Sequence, residues 1–346
     1  MTIKGNAFVL GATGQIGRAA VRALVADGWE VTAASRRGGR DEGWPAEVRS
    51  VAVDRTEEGA LAAALGAGTD VLVDVVAYDA GHGRQLTGLA GRIGSAVVIS
   101  SAAVYQDAQG RGFDTQDEPD GFPDYPLPVP ETLGTVAPGD TTYSTRKVAL
   151  ERELLAAGDA LPTTLLRAAA VHGPYSPGPR ELWFVKRALD GRPVRILAEG
   201  GRSVFHPAHV DNIAELVRLA AARPGSRVLN AADPEAPTVA EIGAAIDAAM
   251  GVRSETVLFE GPPAKADMVG YTPWTTPRPM VCAMAAAERE LGYRPVTGYA
   301  ASLPGTIEFL AAAVAGRDWR EVFPGLARYG VDFFDYAAED AWLAAR

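Results

Sequence analysis

Four apolar residues, Ala7-Phe8-Val9-Leu10, stop at Gly11, and beyond Gln15 the apolar positions change spacing, recurring as Ile16, Ala19, Ala20, Ala23 and Leu24 up to Ala26. A short continuous apolar run bounded by glycine reads as a buried strand, and a three-to-four spacing reads as one face of a helix. The segment is therefore strand, tight turn, helix. Similar short runs return at residues 30–34, 48–53, 71–76 and 96–100, separated by Ala- and Gly-rich helical stretches such as residues 60–65. Buried strands alternating with helices predict a parallel sheet, since a crossover helix brings the chain back in the same direction and covers the sheet faces.

The first turn, Gly11-Ala12-Thr13-Gly14-Gln15-Ile16-Gly17, sharpens the expected fold to a Rossmann-type doubly wound parallel sheet within an α/β chain. Glycine lets backbone approach a pyrophosphate closely, and the helix that follows aims its free N–H groups and positive dipole end at it. Gly11, Thr13, Gly14, Gln15, Ile16 and Gly17 are thus the candidate cofactor cradle, although the spacing is Gly-x-x-Gly-x-x-Gly and not Gly-x-Gly-x-x-Gly. About 20 residues further on, an NAD site usually places a carboxylate on the ribose hydroxyls. This chain has Ser35-Arg36-Arg37 instead, and two guanidinium groups with a hydroxyl suit a 2'-phosphate. NADP(H) is the preferred expectation, with NAD(H) as the other, and Asp54 is a candidate contact to the adenine ring. Residues 1–170 are read as the dinucleotide-binding domain. Residues 171–346, where the alternation loosens, are read mainly as a smaller C-terminal α/β substrate lobe with a C-terminal extension, some segments returning to the sheet.

Length and charge bound the rest. At 346 residues the chain exceeds one simple core, and its 47% hydrophobic content is ample for a second lobe. Lys plus Arg number 33 against 43 Asp plus Glu, a net charge of -10 without a long basic run, which argues against nucleic acid as a partner. The single cysteine, Cys282, is read as a small packed residue and excludes an intramolecular disulfide. No stretch approaches the roughly 20 apolar residues of a membrane span, and no cleavable leader is evident, so a cytoplasmic location is expected. His172, His206 and His209 lack metal-ligand spacing, and no metal is expected.

Downstream of the cradle come Ser101, ending Val97-Val98-Ile99-Ser100-Ser101, and Tyr143-Ser144-Thr145-Arg146-Lys147. With these the chain resembles the extended short-chain dehydrogenase/reductases of the NAD-dependent epimerase/dehydratase type. The resemblance extends through residues 166–174 (Leu-Arg-Ala-Ala-Ala-Val-His-Gly-Pro), residues 209–214 (His-Val-Asp-Asn-Ile-Ala) and residues 290–295 (Glu-Leu-Gly-Tyr-Arg-Pro). It implies a catalytic set of Ser101, Tyr143 and Lys147, and a homodimer packed through two helices of each subunit. A tyrosine phenol titrates near 10, too high for a base at neutral pH, so Lys147, one turn along the same helix face, is expected to lower it and to reach the nicotinamide ribose. Ser101 would bond the substrate oxygen.

The departures from the pattern bear on substrate. Ala102 and Ala103 stand where dehydratases carry acids, and Phe205 stands where sugar-nucleotide enzymes carry an arginine four residues before the histidine, with Arg202 three residues earlier as a displaced substitute. The leading expectation is an NADP(H)-dependent oxidoreductase reducing a carbonyl, or an analogous unsaturated group, of a small molecule. The alternatives are a sugar-nucleotide epimerase with retained NAD(P) and a non-catalytic cofactor-bound regulatory protein. His172 and Phe205 are the candidate substrate contacts. Residues 107–122 form an Asp-, Pro- and Gly-rich insertion, read as a surface insertion or a lid. The aromatic stretch after Gly316 is read as packing on the body or on a second subunit.

Overall fold

The computed structural model describes residues 3–264 and 268–346. In chain order the strands are β1 (Asn6–Leu10), β2 (Glu30–Ser35), β3 (Arg49–Ala52), β4 (Thr69–Asp74), β5 (Ile93–Ser101), β6 (Thr163–Ala168), β7 (Ala170–His172), β8 (Val194–Leu197), β9 (Pro207–His209), β10 (Arg227–Ala231) and β11 (Glu255–Leu258). The helices run α1 (Gln15–Ala26), α2 (Ala60–Leu65), α3 (Ala80–Thr87), α4 (Tyr143–Ala156), α5 (Leu182–Leu189), α6 (Val210–Ala222), α7 (Val239–Met250), α8 (Ala285–Leu291) and α9 (Tyr299–Val314), followed by three short helices.

The chain forms two compact units. The first comprises Met1–Ala169, Val210–Ala232 and Cys282–Val296. Its seven strands lie in the order β3-β2-β1-β4-β5-β6-β10, every pairing parallel. The expected doubly wound sheet is therefore present, and its order reverses direction between β1 and β4. In open sheets of this kind ligands bind beyond the carboxyl ends of the strands at that reversal. Continuous apolar runs follow from burial on both faces: in β5 all but Gly94 and Ser101 are buried, and Val98 packs with Phe8, Leu72, Leu150, Leu154 and Leu165. Each fully buried Leu, Val or Phe of such a core contributes about 1.5–3 kcal/mol.

The second unit comprises Ala170–His209, Asp233–Val281 and Thr297–Arg346. It holds two small parallel pairs, β7 with β9 and β8 with β11. Helices α5, α7 and α9 contribute Trp183, Phe184, Ile242, Leu303 and Leu310 to one apolar cluster. The aromatic stretch after Gly316 joins this cluster, with Trp319, Phe323 and Phe333 all buried in it. Arg187 fastens the extension from α5 by donating to the Phe333 carbonyl (2.9 Å) and pairing with Glu339. Its aromatic density thus serves packing within this unit. Among the described residues no helix is long and apolar enough to cross a membrane.

Candidate active site

At the end of β1 the chain turns through Gly11 at φ +86°, and a Cβ there would lie 2.6 Å from Val76 Cγ1 and 2.7 Å from Val75 Cγ2. The Gly11 and Ala12 N–H groups both donate to the Ala34 carbonyl of β2 (2.9 and 3.0 Å), which pins the turn to the sheet. Gly17 lets α1 close down on the turn, since a Cβ would lie 2.3 Å from the Gly11 carbonyl oxygen and 2.7 Å from Ala12 Cα. Gly14 is the N-cap of α1 and offers no capping side chain. A bare helix start behind a glycine turn too tight for Cβ fits a dinucleotide pyrophosphate, with Thr13, Gln15 and Ile16, all partly exposed, around the same turn.

Beyond β2, Ser35 is buried and its hydroxyl accepts the Gly39 N–H (3.2 Å), whereas Arg36 and Arg37 are exposed. Asp54 follows β3 on the neighbouring strand end; hydrogen bonds from Thr56, and then the charge of Arg36, hold its carboxyl below the usual range. The carboxyl ends of β1, β2 and β3 thus present the cradle, two guanidinium groups and Asp54 in series.

Ser101 closes β5, and its Oγ accepts the Ala103 N–H (3.1 Å). Helix α4 starts with Thr142 as N-cap, whose Oγ accepts the Thr145 N–H (3.2 Å) while Thr145 Oγ accepts the Thr142 N–H (3.0 Å). The buried face of α4 carries Ser144, Lys147, Val148, Glu151 and Leu154, a helical stripe with two charges in it. Lys147 is 3 % exposed and donates to the carbonyls of Ala77 (2.6 Å) and Ile99 (2.9 Å), so both β4 and β5 hold it. Burial pushes its pKa down to about 8, against the pull of Asp74 and Glu151. Its ammonium lies 5.8 Å from the Tyr143 ring centroid and 4.9 Å from that of Tyr78.

Ser101, Tyr143 and Lys147 are thus brought together at the carboxyl end of the sheet. Tyr143 differs from expectation in its electrostatics. Although the residue is 44 % exposed, partial burial raises the phenol's pKa, a hydrogen bond with Ser101 offsets part of the rise, and Tyr78 adds to it. Lys147, whose ammonium is taken up by two backbone carbonyls, does not give the expected lowering in the chain alone.

Several neighbours escaped sequence reasoning. Glu151 (2 % exposed) accepts from Arg167 Nε (3.0 Å), Arg167 Nη2 (2.7 Å) and Ser100 Oγ (2.5 Å), so a buried ion pair stands behind the serine next to Ser101. Arg167 also covers the Tyr105 ring at 4.8 Å. Glu151 lies one turn beyond Lys147, and a charge recurring on that stripe was the available signal. Tyr78, half-exposed between β4 and α3, carried none, because nothing local in sequence ties it to Lys147.

In the second unit His172 is buried, its Nε2 2.7 Å from Asp233 Oδ2 and its Nδ1 3.5 Å from Glu181 Oε1. The ring is enclosed between two carboxylates and packs against His209 and Tyr299 at 5.0 and 5.1 Å. Phe205 is partly buried, and the Arg180 guanidinium covers its ring at 5.2 Å and that of Trp274 at 5.4 Å. A cation thus stacks on the aromatic ring found at position 205.

A sheet of this order with a glycine cradle at its reversal defines a dinucleotide-binding Rossmann fold. The family model for the NAD-dependent epimerase/dehydratase family matches residues 7–232, and the chain belongs to that family. No curated protein sequence matches the chain. Among solved structures it is similar to a UDP-glucose 4-epimerase from Thermotoga maritima in complex with UDP-glucose, with 20% identity, TM-score 0.68, and 90% of this chain and 100% of that one covered. It is likewise similar to a UDP-N-acetylglucosamine 4-epimerase from Methanobrevibacter ruminantium (17% identity, TM-score 0.68, covering 90% and 99%). MoeE5 in complex with UDP-glucose and NAD aligns at 22% identity and TM-score 0.64, covering 90% and 100%. At these identities the likeness is one of fold.

Proposed function

We propose that the protein is a nicotinamide-dependent enzyme that epimerises a sugar nucleotide, oxidising and re-reducing one carbon with a retained cofactor. The observation that carries this reading is the joint placement of Ser101, Tyr143 and Lys147 at the carboxyl end of the sheet, beside the glycine cradle, in a family whose solved relatives above are mostly sugar-nucleotide epimerases. A nicotinamide held at the cradle would supply the hydride acceptor and donor. Tyr143 Oη takes the proton from the reacting hydroxyl and later returns it to the carbonyl oxygen. Ser101 Oγ hydrogen-bonds that oxygen and the phenol, stabilising charge on whichever carries it. Lys147 would orient the ribose of the cofactor and supplies positive charge near the phenol. Gly11, Thr13, Gly14, Gln15, Ile16 and Gly17 would cradle the pyrophosphate, and Asp54 would serve as the contact to the adenine.

Exposed Arg36 and Arg37, with no carboxylate at the end of β2, favour NADP(H). That preference, together with Ala102, Ala103 and Phe205, supports a second reading, the reduction of a small-molecule carbonyl. One experiment separates the two. The protein is incubated with UDP-galactose or UDP-glucose without added reductant and the epimer is sought by chromatography, while NADPH consumption is followed with a panel of aldehydes and ketones. Epimer formation that Tyr143→Phe abolishes, with cofactor binding intact, is the expected result; NADPH consumption without epimer would replace it with the reductase reading. Arg36→Asp should shift relative affinity from NADPH towards NADH, and an unchanged ratio would remove Arg36 from cofactor choice.

A further inference from the structure

The insertion at residues 107–122 is built as a strut. At its base the buried Asp107 carboxylate accepts from the N–H groups of Gln109 (2.9 Å), Arg111 (2.9 Å) and Asp124 (2.9 Å) and from Arg111 Nε (2.7 Å), which ties the two ends of the insertion together. Those donors outweigh burial and hold the carboxyl at about 2. Near the tip, Thr115 Oγ donates to the Gly121 carbonyl (2.6 Å) and accepts the Gly112 N–H (3.1 Å), closing a second, smaller ring. Within this second ring, one turn of 3-10 helix at Phe113–Thr115 presents Asp114.

Asp114 reaches α4 with both oxygens. Oδ2 accepts from Thr142 Oγ (2.6 Å) and Oδ1 accepts from the hydroxyl of fully buried Ser144 (3.0 Å). These two residues flank Tyr143. Thr142 gives its proton to Asp114 and uses a lone pair for the Thr145 N–H, so the carboxylate completes the cap that starts the helix at Tyr143. A negative charge at this end also suits the helix dipole.

We propose that Asp114 is a positioning residue. It fixes the first turn of α4 from both sides of Tyr143, so that the phenol ring keeps its place near the Lys147 ammonium. The role assumes that Tyr143 is the proton-transferring group of the function proposed above. A solvated insertion would leave the helix start indifferent to residue 114. A strut makes the phenol's titration depend on it.

The test uses the full chain with bound NADP+, as wild type, Asp114→Ala and Asp114→Asn, each paired with the same protein carrying Tyr143→Phe. The difference in tyrosinate absorption within each pair reports the titration of Tyr143 without any turnover. Because the first turn of α4 loses its two side-chain restraints, Asp114→Ala should shift that titration, and Asp114→Asn, which keeps one acceptor, should shift it less. With UDP-galactose as substrate, kcat should fall between about 10- and 100-fold for the alanine variant, with KM changed less than about threefold, as expected for misplacement of a reacting group. A fall in melting temperature with the Tyr143 titration and kcat both unchanged would overturn the proposal and leave Asp114 a structural cap. If UDP-galactose is not turned over, the function proposed above fails by itself, and the titration still decides whether Asp114 positions the phenol.

Discussion

Replacing Arg167 with Met tests whether the charges behind the Ser101 strand hold the first unit together. Arg167 supplies two of the three donors that Glu151 receives, and both residues are buried, at 6 % and 2 % exposure. Methionine fills much of the same volume but leaves the carboxylate with the Ser100 hydroxyl as its remaining donor among the contacts described above, in a medium that solvates it poorly. Breaking a buried pair by removing one partner typically costs about 3–5 kcal/mol. Loss of the Arg167 cover on Tyr105 acts in the same direction. At roughly 2–4 °C per kcal/mol for a unit of this size, the melting temperature should drop by roughly 6–20 °C. Urea unfolding followed by far-ultraviolet circular dichroism gives the free energy directly. Adding Glu151→Leu should restore stability to within about 1 kcal/mol of wild type, since replacing both members of a buried pair with apolar groups is often neutral. A loss below about 1 kcal/mol in the single variant, or no recovery in the double, would refute the reasoning and mean that water reaches this pair.

Lys147 gives a prediction in pH. A buried ammonium with a pKa of about 8 costs stability below that value, and the cost fades as pH rises towards 10.5, where the unfolded chain also loses the proton. Lys147→Met should therefore gain on wild type at pH 7 relative to pH 9.5, by on the order of 2 kcal/mol, while the two lost carbonyl bonds add a penalty independent of pH; a gap that does not move with pH would mean the ammonium is well solvated. Gly17→Val places carbon against the Gly11 carbonyl and Ala12, so α1 must shift away from the cradle. NADPH affinity, read by nicotinamide fluorescence, should fall at least about tenfold, and unchanged affinity would place the pyrophosphate elsewhere.

Much of the first unit was legible in the chain because its determinants are local. A buried parallel strand must be a short apolar run, its crossover must be a helix, and a glycine turn must sit where backbone replaces side chain, so β1, α1 and the cradle could be read from residues 7–26 alone. The placement of Ser101 at a strand end and of Tyr143 and Lys147 at a helix start was legible for a related reason, since each follows a recognisable spacing. Expectation departed from structure where energies depend on what surrounds a group. Tyr143 titrates above its ordinary value because partial burial outweighs its bond to Ser101, and Lys147 titrates low because it is enclosed by β4 and β5; neither follows from a Tyr-x-x-x-Lys spacing. Sequence distance hid the remaining partners: Arg167 meets Glu151 across the packing of β6 on α4, and Asp114 meets Thr142 and Ser144 through an insertion whose composition announces only a loop. The amino-acid pattern by itself determined the layered α/β architecture and where the candidate site residues lie in it, because hydrophobic period and glycine stereochemistry act within a few residues. Only the tertiary structure decided which charges are buried, which carboxylate braces which helix and how each proton is held, because desolvation and hydrogen bonding are set by groups that the fold, and not the chain order, makes neighbours.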